Sequence, residues 1–558
     1  MVISSIQENS KVVKVKADFE KIFLVVFFGL FLYLGTGFLF DHKLSHDYPY
    51  GYLASDAFQH QTRAQSIKDS GNYKNEASYI VMGVENATGY YPPAIYHLSV
   101  ILSHLSGLEV YDTLYFIVFL FAALASMVLY LIIRQFNKNV ALISIPFSLL
   151  MFSSGLYSGF AWGHWPTLLG QFFLLCVFWC TSRIDLKRSF IFLAVFISAA
   201  FMTHTSEALF AGAYLLLFFV VSCVLDKKLR VDLLKNFVIG GMISFVIVFY
   251  YFVIFKLVWM PRQPFEFAVS KMWDNPTIYL TDFGLFLIFM SVGMLTSVFF
   301  IKKNLVPALF SFSMLILGLG NYYGFREKAF QLRFFWPLFL AFFIGFGVYW
   351  ALKLVVKEWK IIYSVGLSVL LVIVIIIPAI PFVPHYSKLE SSGLMDKFHW
   401  ESFSWLAKNT ETTAKIYFFY GDIYSQDALL RNSKRTHYQV TPEEMVDAIN
   451  NKEIRRFYGS ELPGDGGGGA PIRKSFFSFD FGIDKLSLEE RNGKQDICQF
   501  NYLVFDKASR QDAFAQYNML IANELVTKDY IEPVFENEIV VILKNNNLGA
   551  DCIEQRNF

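Results

Sequence analysis

Asp56, His60 and Arg63 stand four and three residues apart in the stretch 52–63, just beyond the first hydrophobic segment of the chain. On a helix those spacings put a carboxylate, an imidazole and a guanidinium on one face. A carboxylate and an imidazole together act as general acid and base, and a guanidinium binds phosphate, so the set reads as a candidate reaction centre. The same residues fit a plainer role. Asp56 followed three positions later by Gln59 matches a capping box, in which the aspartate satisfies free N–H groups at the start of a helix.

Further ionisable residues recur at one end of successive apolar segments. His164 lies in Gly163-His164-Trp165, His204 and Glu207 stand three apart in a Thr-His-Thr-Ser-Glu turn, and Asp282, Arg326, Glu327, Lys328 and Arg333 follow. Ionisable groups at membrane depth are costly and mark a pathway or a site. Asp56, His60 and Glu207 are donors suited either to a divalent cation, Mg or Mn, or to general-base work. Arg63, His164, His204, Glu207, Arg326 and Arg333 would then line the substrate cavity, the arginines meeting phosphate. Each has an ordinary alternative: a histidine beside tryptophans anchors at the lipid interface, and an arginine at the end of a span sits among headgroups.

The elements that must carry these residues are membrane spans. The 558 residues are 55% hydrophobic, 18% aromatic and only 17% charged, with a mean hydropathy of +0.43. That is more apolar surface than a soluble core accommodates. The formal charge of +2 gives no reason to expect a nucleic-acid partner. Apolar runs at 22–40, 112–133, 140–157, 164–182, 189–204, 207–225, 236–258, 282–301, 304–320, 333–352 and 361–384 predict a polytopic α-helical bundle of about eleven spans. Lys11, Lys14, Lys16 and Lys21 place the N-terminus in the cytoplasm. Arg134 with Lys138, Arg183 with Lys187 and Arg188, Lys227 with Lys228, Arg230 and Lys235, Lys302 with Lys303, and Lys353 with Lys357 and Lys360 then all fall on the cytoplasmic side. All ten histidines fall on the outer side. The run 92–108 is apolar but short and opens with Pro92-Pro93, so it reads as a helix lying on the outer face.

After Pro378, Pro381 and Pro384 the composition becomes that of a soluble domain. The expected division is a membrane domain over 1–384, with a large first outer loop at 41–111, and an extracytoplasmic α/β domain over 385–558. Strands are expected at 415–420 and 500–505, helices up to residue 450 from a capping box at 441–444 and over 511–527, and a closing hairpin at 534–543. Cys176, Cys180 and Cys223 lie in apolar segments. Cys498 and Cys552 lie in the polar part and can pair if that part is extracytoplasmic. Residues 464–469 hold four consecutive glycines, but no Lys-Ser/Thr follows, so they read as a loop and not a phosphate cradle. Asn86-Ala87-Thr88 is a glycosylation sequon on the outer side.

The order of a first span, an outer loop with an early aspartate (Asp56 to His60), a Tyr91-Pro92-Pro93 surface helix, a many-span bundle whose late span opens Arg333-Phe334-Phe335-Trp336-Pro337, and an outer C-terminal domain resembles the GT-C membrane glycosyltransferases. The resemblance covers nearly the whole chain. It implies transfer of a hexosyl or pentosyl unit from a polyprenyl phosphate or diphosphate carrier to a lipid, glycan or protein acceptor at the outer face of the cell membrane. It further implies that Asp56, with Asp41 and Asp47 as alternatives, is the catalytic or metal-binding carboxylate and that Arg333 meets the lipid phosphate. The polar domain has no Trp-Trp-Asp-Tyr-Gly motif, which argues against an oligosaccharyltransferase selecting asparagine sequons, and no Asp-X-Asp pair accompanies Asp56. Two other readings fit the same charges: a lipid or polysaccharide transporter, and a non-catalytic relative that binds a partner through its outer domain. A transporter would place charges near mid-membrane, whereas here they gather at the ends of spans.

Overall fold

The computed structural model describes residues 18–71, 92–153, 159–186, 188–251, 280, 283–324, 326–356, 358–379, 394–419, 423–424, 427–440, 446, 448–450, 456–458, 494–508 and 512–553. The sequon, Tyr91, the glycine run, Asp282, the capping box at 441–444 and the expected boundary at 384 lie outside the described residues.

The chain opens with α1 (Phe19–Phe40), followed by α2 (Ser55–Ser70), α3 (Ala94–Ser106) and α4 (Val110–Arg134). Next come α5 (Lys138–Ser144), which tightens into a 3₁₀ turn at Ile145–Phe152, then α6 (Trp165–Thr181), α7 (Ser189–Thr203), α8 (Thr205–Asp226) and α9 (Val231–Tyr251). The bundle closes with α10 (Phe286–Phe299), α11 (Leu305–Gly318), α12 (Arg326–Leu332), α13 (Trp336–Lys353) and α14 (Ile361–Ala379). Among the described residues, five helices are long and apolar enough to cross a membrane: α1, α4, α8, α9 and the run through α12 and α13 at Ala329–Lys353. Shorter apolar helices occupy the positions of the other expected spans. The segment expected on the surface is one of these short ones: α3 has 13 residues, or about 20 Å at 1.5 Å per residue, too short to span.

Packing in the bundle follows from side-chain size. Phe23, Phe27 and Phe31 recur every fourth residue on α1 and are buried, while Val25, Val26 and Tyr33 are exposed where lipid would lie. Between α10 and α13 the backbones themselves touch. A Cβ on Gly293 would lie 1.8 Å from the Phe343 carbonyl oxygen, and one on Gly347 would lie 1.9 Å from that of Phe289. Small residues permit this approach where no hydrophobic force draws helices together.

The C-terminal region holds α15 (Lys397–Asn409), β1 (Lys415–Phe418), α16 (Asp427–Leu430), β2 (Thr436–Gln439), β3 (Arg456–Tyr458), β4 (Lys494–Asp496), β5 (Tyr502–Asp506), α17 (Asp512–Val526), β6 (Ile531–Glu536) and β7 (Val540–Asn545). Five strands form a sheet in the order β2-β1-β5-β7-β6, and β3 pairs with β4 apart from it. β1 lies parallel to both β2 and β5, while β7 runs antiparallel to β5 and β6. The expected strands, the long helix and the hairpin are all present within two or three residues. Cys498 and Cys552 are joined, with Cα atoms 5.6 Å apart.

Alternation along the strands divides the sheet between two cores. Tyr417, Phe419, Leu503, Phe505, Val541 and Leu543 face α17 and the disulfide. Ile416, Phe418, Tyr502, Val504, Val540 and Ile542 face the other way and join one core that runs without a break into the membrane bundle.

Candidate active site

α2 is the helix expected from the spacing of Asp56, His60 and Arg63. It begins after Ala54, whose side chain caps nothing, so Asp56 stands in the first turn and not at the capping position. Asp56 is exposed, while His60 and Arg63 are buried at 4% and 8% exposure. The carboxylate therefore meets solvent and the two basic groups point inward.

What fixes the start of α2 is the turn before α6. Gly163 adopts φ +92°, and a Cβ there would lie 2.2 Å from the Ala57 nitrogen and 2.7 Å from the Asp56 carbonyl carbon. Only glycine meets both demands, a left-handed backbone and van der Waals contact with another backbone. The Leu53 amide donates to the Ala161 carbonyl at 2.9 Å, tying the two segments on the other side of the turn. Beneath them the fully buried Trp165 ring packs edge-on against Tyr52 and stacks on Tyr115, with His60 6.3 Å away.

His60 Nδ1 lies 2.8 Å from the Tyr96 hydroxyl of α3. Burial pushes the His60 pKa well below its ordinary value, and positive charge on Arg63, His164 and His204 pushes it the same way. Those four residues therefore share one electrostatic neighbourhood, and His60 is neutral at pH 7. His164 packs on Phe330 of α12 and on Phe334.

His204 is the one extended residue, at φ −157° and ψ 116°, between α7 and α8. Its Nδ1 turns back to the Glu207 carboxylate at 2.5 Å, and the Ser206 hydroxyl lies 2.6 Å from the same nitrogen and 2.9 Å from the carboxylate. A carboxylate in the first turn of a helix is favoured by the exposed N–H groups there. Gly170 of α6 gives the pair its room, since a Cβ on it would lie 3.2 Å from Glu207 Cγ and 3.3 Å from His204 Cβ.

The structure thus gathers His60, Arg63, His164 and His204 with Glu207, under a helix whose exposed first turn carries Asp56. Arg333, an expected phosphate ligand, is engaged by protein groups. Arg333 is 1% exposed. Its Nε donates to the Gly318 carbonyl at the end of α11 at 2.6 Å, a terminal N–H bonds Asn321, and the guanidinium lies 5.6 Å from the Trp336 ring. Cations are stabilised at that end of a helix, so Arg333 joins α11 to the entry of α13. Arg326 begins α12, and its side chain lies outside the described residues. As for a metal, no group of three or more His, Cys, Asp and Glu side chains among the described residues is arranged to hold one. The set Asp56, His60 and Glu207 does not assemble as ligands.

Sequence reasoning missed several supports. Tyr96, Gly163 and Gly170 act only through residues distant in sequence. The same holds for His46, whose Nδ1 lies 2.7 Å from Asp112 of α4 and whose Nε2 lies 3.1 Å from the Phe40 carbonyl oxygen, holding the loop after α1 to the bundle. A fourth cluster joins the C-terminal region: His399 lies 2.5 Å from Asp396 and 3.0 Å from Asp506, all three buried. The two carboxylates outweigh the burial of the imidazole and raise its pKa to about 10. The Asp-X-X-His spacing at the start of α15, with Asp396 accepting from the His399 amide, was the signal available.

A helical bundle followed by a mixed α/β region is similar in fold to solved structures of glycosyl- and oligosaccharyltransferases. The solved structures with this arrangement include apo ArnT from Cupriavidus metallidurans, at 11% identity over 94% of this chain and 98% of that one, with a TM-score of 0.57. The Archaeoglobus fulgidus oligosaccharyltransferase tethered to an acceptor peptide with the NVT sequon aligns at 12% identity over 91% and 72%, TM-score 0.51. Mycobacterial arabinofuranosyltransferase AftD aligns at 12% identity over 95% and 40%, TM-score 0.51. At such identities the likeness is one of fold. No protein-family model and no curated protein matches the sequence.

Proposed function

We propose that this protein is an inverting glycosyltransferase that moves a sugar from a polyprenyl phosphate or diphosphate carrier to an acceptor hydroxyl or amide at the outer membrane face. The observation that carries the reading is the polarity of α2: an exposed carboxylate at its first turn, with His60 and Arg63 directed into a buried basic cluster. The fold supports it, and ArnT from Cupriavidus metallidurans has been solved with undecaprenyl phosphate bound.

In the proposed reaction Asp56 accepts the acceptor's proton. The acceptor oxygen or nitrogen attacks the anomeric carbon from the face opposite the carrier, and the bond from that carbon to the phosphate oxygen breaks. The phosphate leaves with the electron pair, and Arg63 and Arg326 stabilise the charge it gains. His60 is neutral, so it serves by orienting groups through its Tyr96 bond and not by carrying charge. Glu207 holds His204 in one orientation, as carboxylates do for catalytic imidazoles, and Arg333 positions the α12–α13 entry. The N-terminus is assigned to the cytoplasm and residues 385–558 to the outer side, on the distribution of Lys and Arg among the loops.

The test is release of sugar from a radiolabelled polyprenyl-phosphate sugar by the purified full chain. A positioned general base contributes about 10²–10⁴-fold, so Asp56→Asn is expected to lose about that much turnover while melting at the wild-type temperature. Turnover unchanged in Asp56→Asn removes Asp56 from the mechanism.

A further inference from the structure

The far end of the bundle holds a second site. α6 runs from Trp165, beside His60, to Thr181, and α8 runs from the Glu207 turn to Asp226, so both helices carry the chain away from the outer cluster. Where they end lies a cavity of 220 Å³ lined by Thr181, Asp185, Ser222, Asp226, Arg230 and Lys302, with Phe218, Leu233 and Leu305 as its apolar walls. It shares no residue with the site above.

Its chemistry is specific. Ser222 is 5% exposed, lines the cavity and has no hydrogen-bond partner among the described residues. Its hydroxyl is open to the cavity, where a ligand atom can bond it. Thr181, beside it, is already engaged with the Phe178 carbonyl at 2.7 Å and Tyr214 at 3.2 Å. Arg230 is held by Asp185 and Asp226, each at 3.0 Å, and by Asp232 at 3.1 Å. Its donors are therefore committed, and the cluster around it is acidic. A simple anion is repelled by those carboxylates, and a simple cation is opposed by Lys302 and Arg230. The lining itself pairs two carboxylates with two cations, which suits a molecule carrying both signs. Val224, Leu229 and Val231, each within two residues in sequence of the lining residues Asp226 and Arg230, are exposed and apolar, a surface along which acyl chains can lie.

We propose that this cavity binds the headgroup of a zwitterionic phospholipid, with the ammonium between Asp185 and Asp226 and the phosphodiester on Lys302 and the Ser222 hydroxyl. Charge-assisted bonds of this kind separate a matched from a mismatched headgroup by about tenfold.

The purified full chain in detergent, offered equal amounts of phosphatidylethanolamine and phosphatidylglycerol with identical acyl chains, is expected by native mass spectrometry to retain the former about tenfold over the latter. Ser222→Leu fills the cavity and should abolish the preference. Lys302→Glu, at an exposed position that does not threaten folding, should reduce it even if Ser222→Leu fails to fold. Equal retention of the two lipids overturns the proposal, as does an undiminished preference in Lys302→Glu. Glycerophosphoethanolamine, added without lipid, separates the sources. If it raises the melting temperature as much as the lipid does, the occupant is water-soluble and the lipid assignment is overturned.

Discussion

His60 shows how a residue's role depends on what surrounds it. An imidazole at this spacing from a carboxylate reads as a proton carrier, yet burial and three neighbouring basic groups keep it neutral. The consequence for stability has a definite sign. The unfolded chain takes up a proton at this residue near the ordinary value of 6.5, and the native state does so only at much lower pH. The native state is therefore favoured in full above about pH 6.5 and loses that advantage as pH falls below it. Melting temperature measured from about pH 7.5 down to 5 should fall more steeply for wild type than for His60→Gln; parallel curves would mean that His60 is not buried in this environment. Asp56, His60, His164, His204 and Glu207 were legible in the sequence because helical spacing and repetition at the ends of spans are local patterns. The direction of Arg333 was not, since nothing near it in sequence announces that the carbonyl end of α11 lies against its guanidinium.

At the scale of elements, the site depends on how closely two segments approach. Gly163 presses its α-carbon hydrogens onto the backbone of Asp56 and Ala57, and its φ of +92° excludes side chains independently. Gly163→Ala should therefore push the first turn of α2 outward. A cost of about 1–3 kcal/mol in stability is expected, with transfer activity falling at least as far as for a misplaced catalytic group, about 10²-fold. Gly212, which meets nothing within 4 Å, is the control: Gly212→Ala should leave both unchanged. A variant at Gly163 that behaves like the one at Gly212 would show that the two segments do not touch. The sequence marks these glycines only as helix or turn residues, because the need for a missing side chain is set by what lies across the gap. Strands and helices of the C-terminal region were easier to read, since period-two and period-3.6 hydrophobicity are written along the chain itself.

At the scale of the whole molecule, the two halves are bound in different ways. The sheet's outer core is closed by the Cys498–Cys552 bridge, whose ends are 54 residues apart and fully buried. Chain-entropy reasoning gives such a loop about 4 kcal/mol. Unfolding the full chain in denaturant with and without reductant, against a Cys498→Ser, Cys552→Ser variant, should show that loss in the sheet while the bundle's helical signal persists. Simultaneous collapse of both halves would contradict it. The inner face is held without covalent help. Lys434 pairs with Asp69 at the end of α2, the Leu394 amide donates to the Tyr52 carbonyl at 2.7 Å, and the Trp400 ring sits edge-on to Tyr111. The sequence predicts an outer domain but not this seat, because contacts between α16 and α2 join residues more than three hundred positions apart.

That seat changes what a minimal folded unit of this protein can be. α2 packs against α3 and α4 and also against α16, so the helix bearing Asp56 is held by both the bundle and the C-terminal region. Trimming the chain back to its apolar segments would strip a hydrophobic flank from that helix and expose the buried side of the sheet at the same cut. A search for the shortest stably folded fragment would therefore stop near the full chain, and a grafted C-terminal region could succeed only by carrying a surface that fits α2.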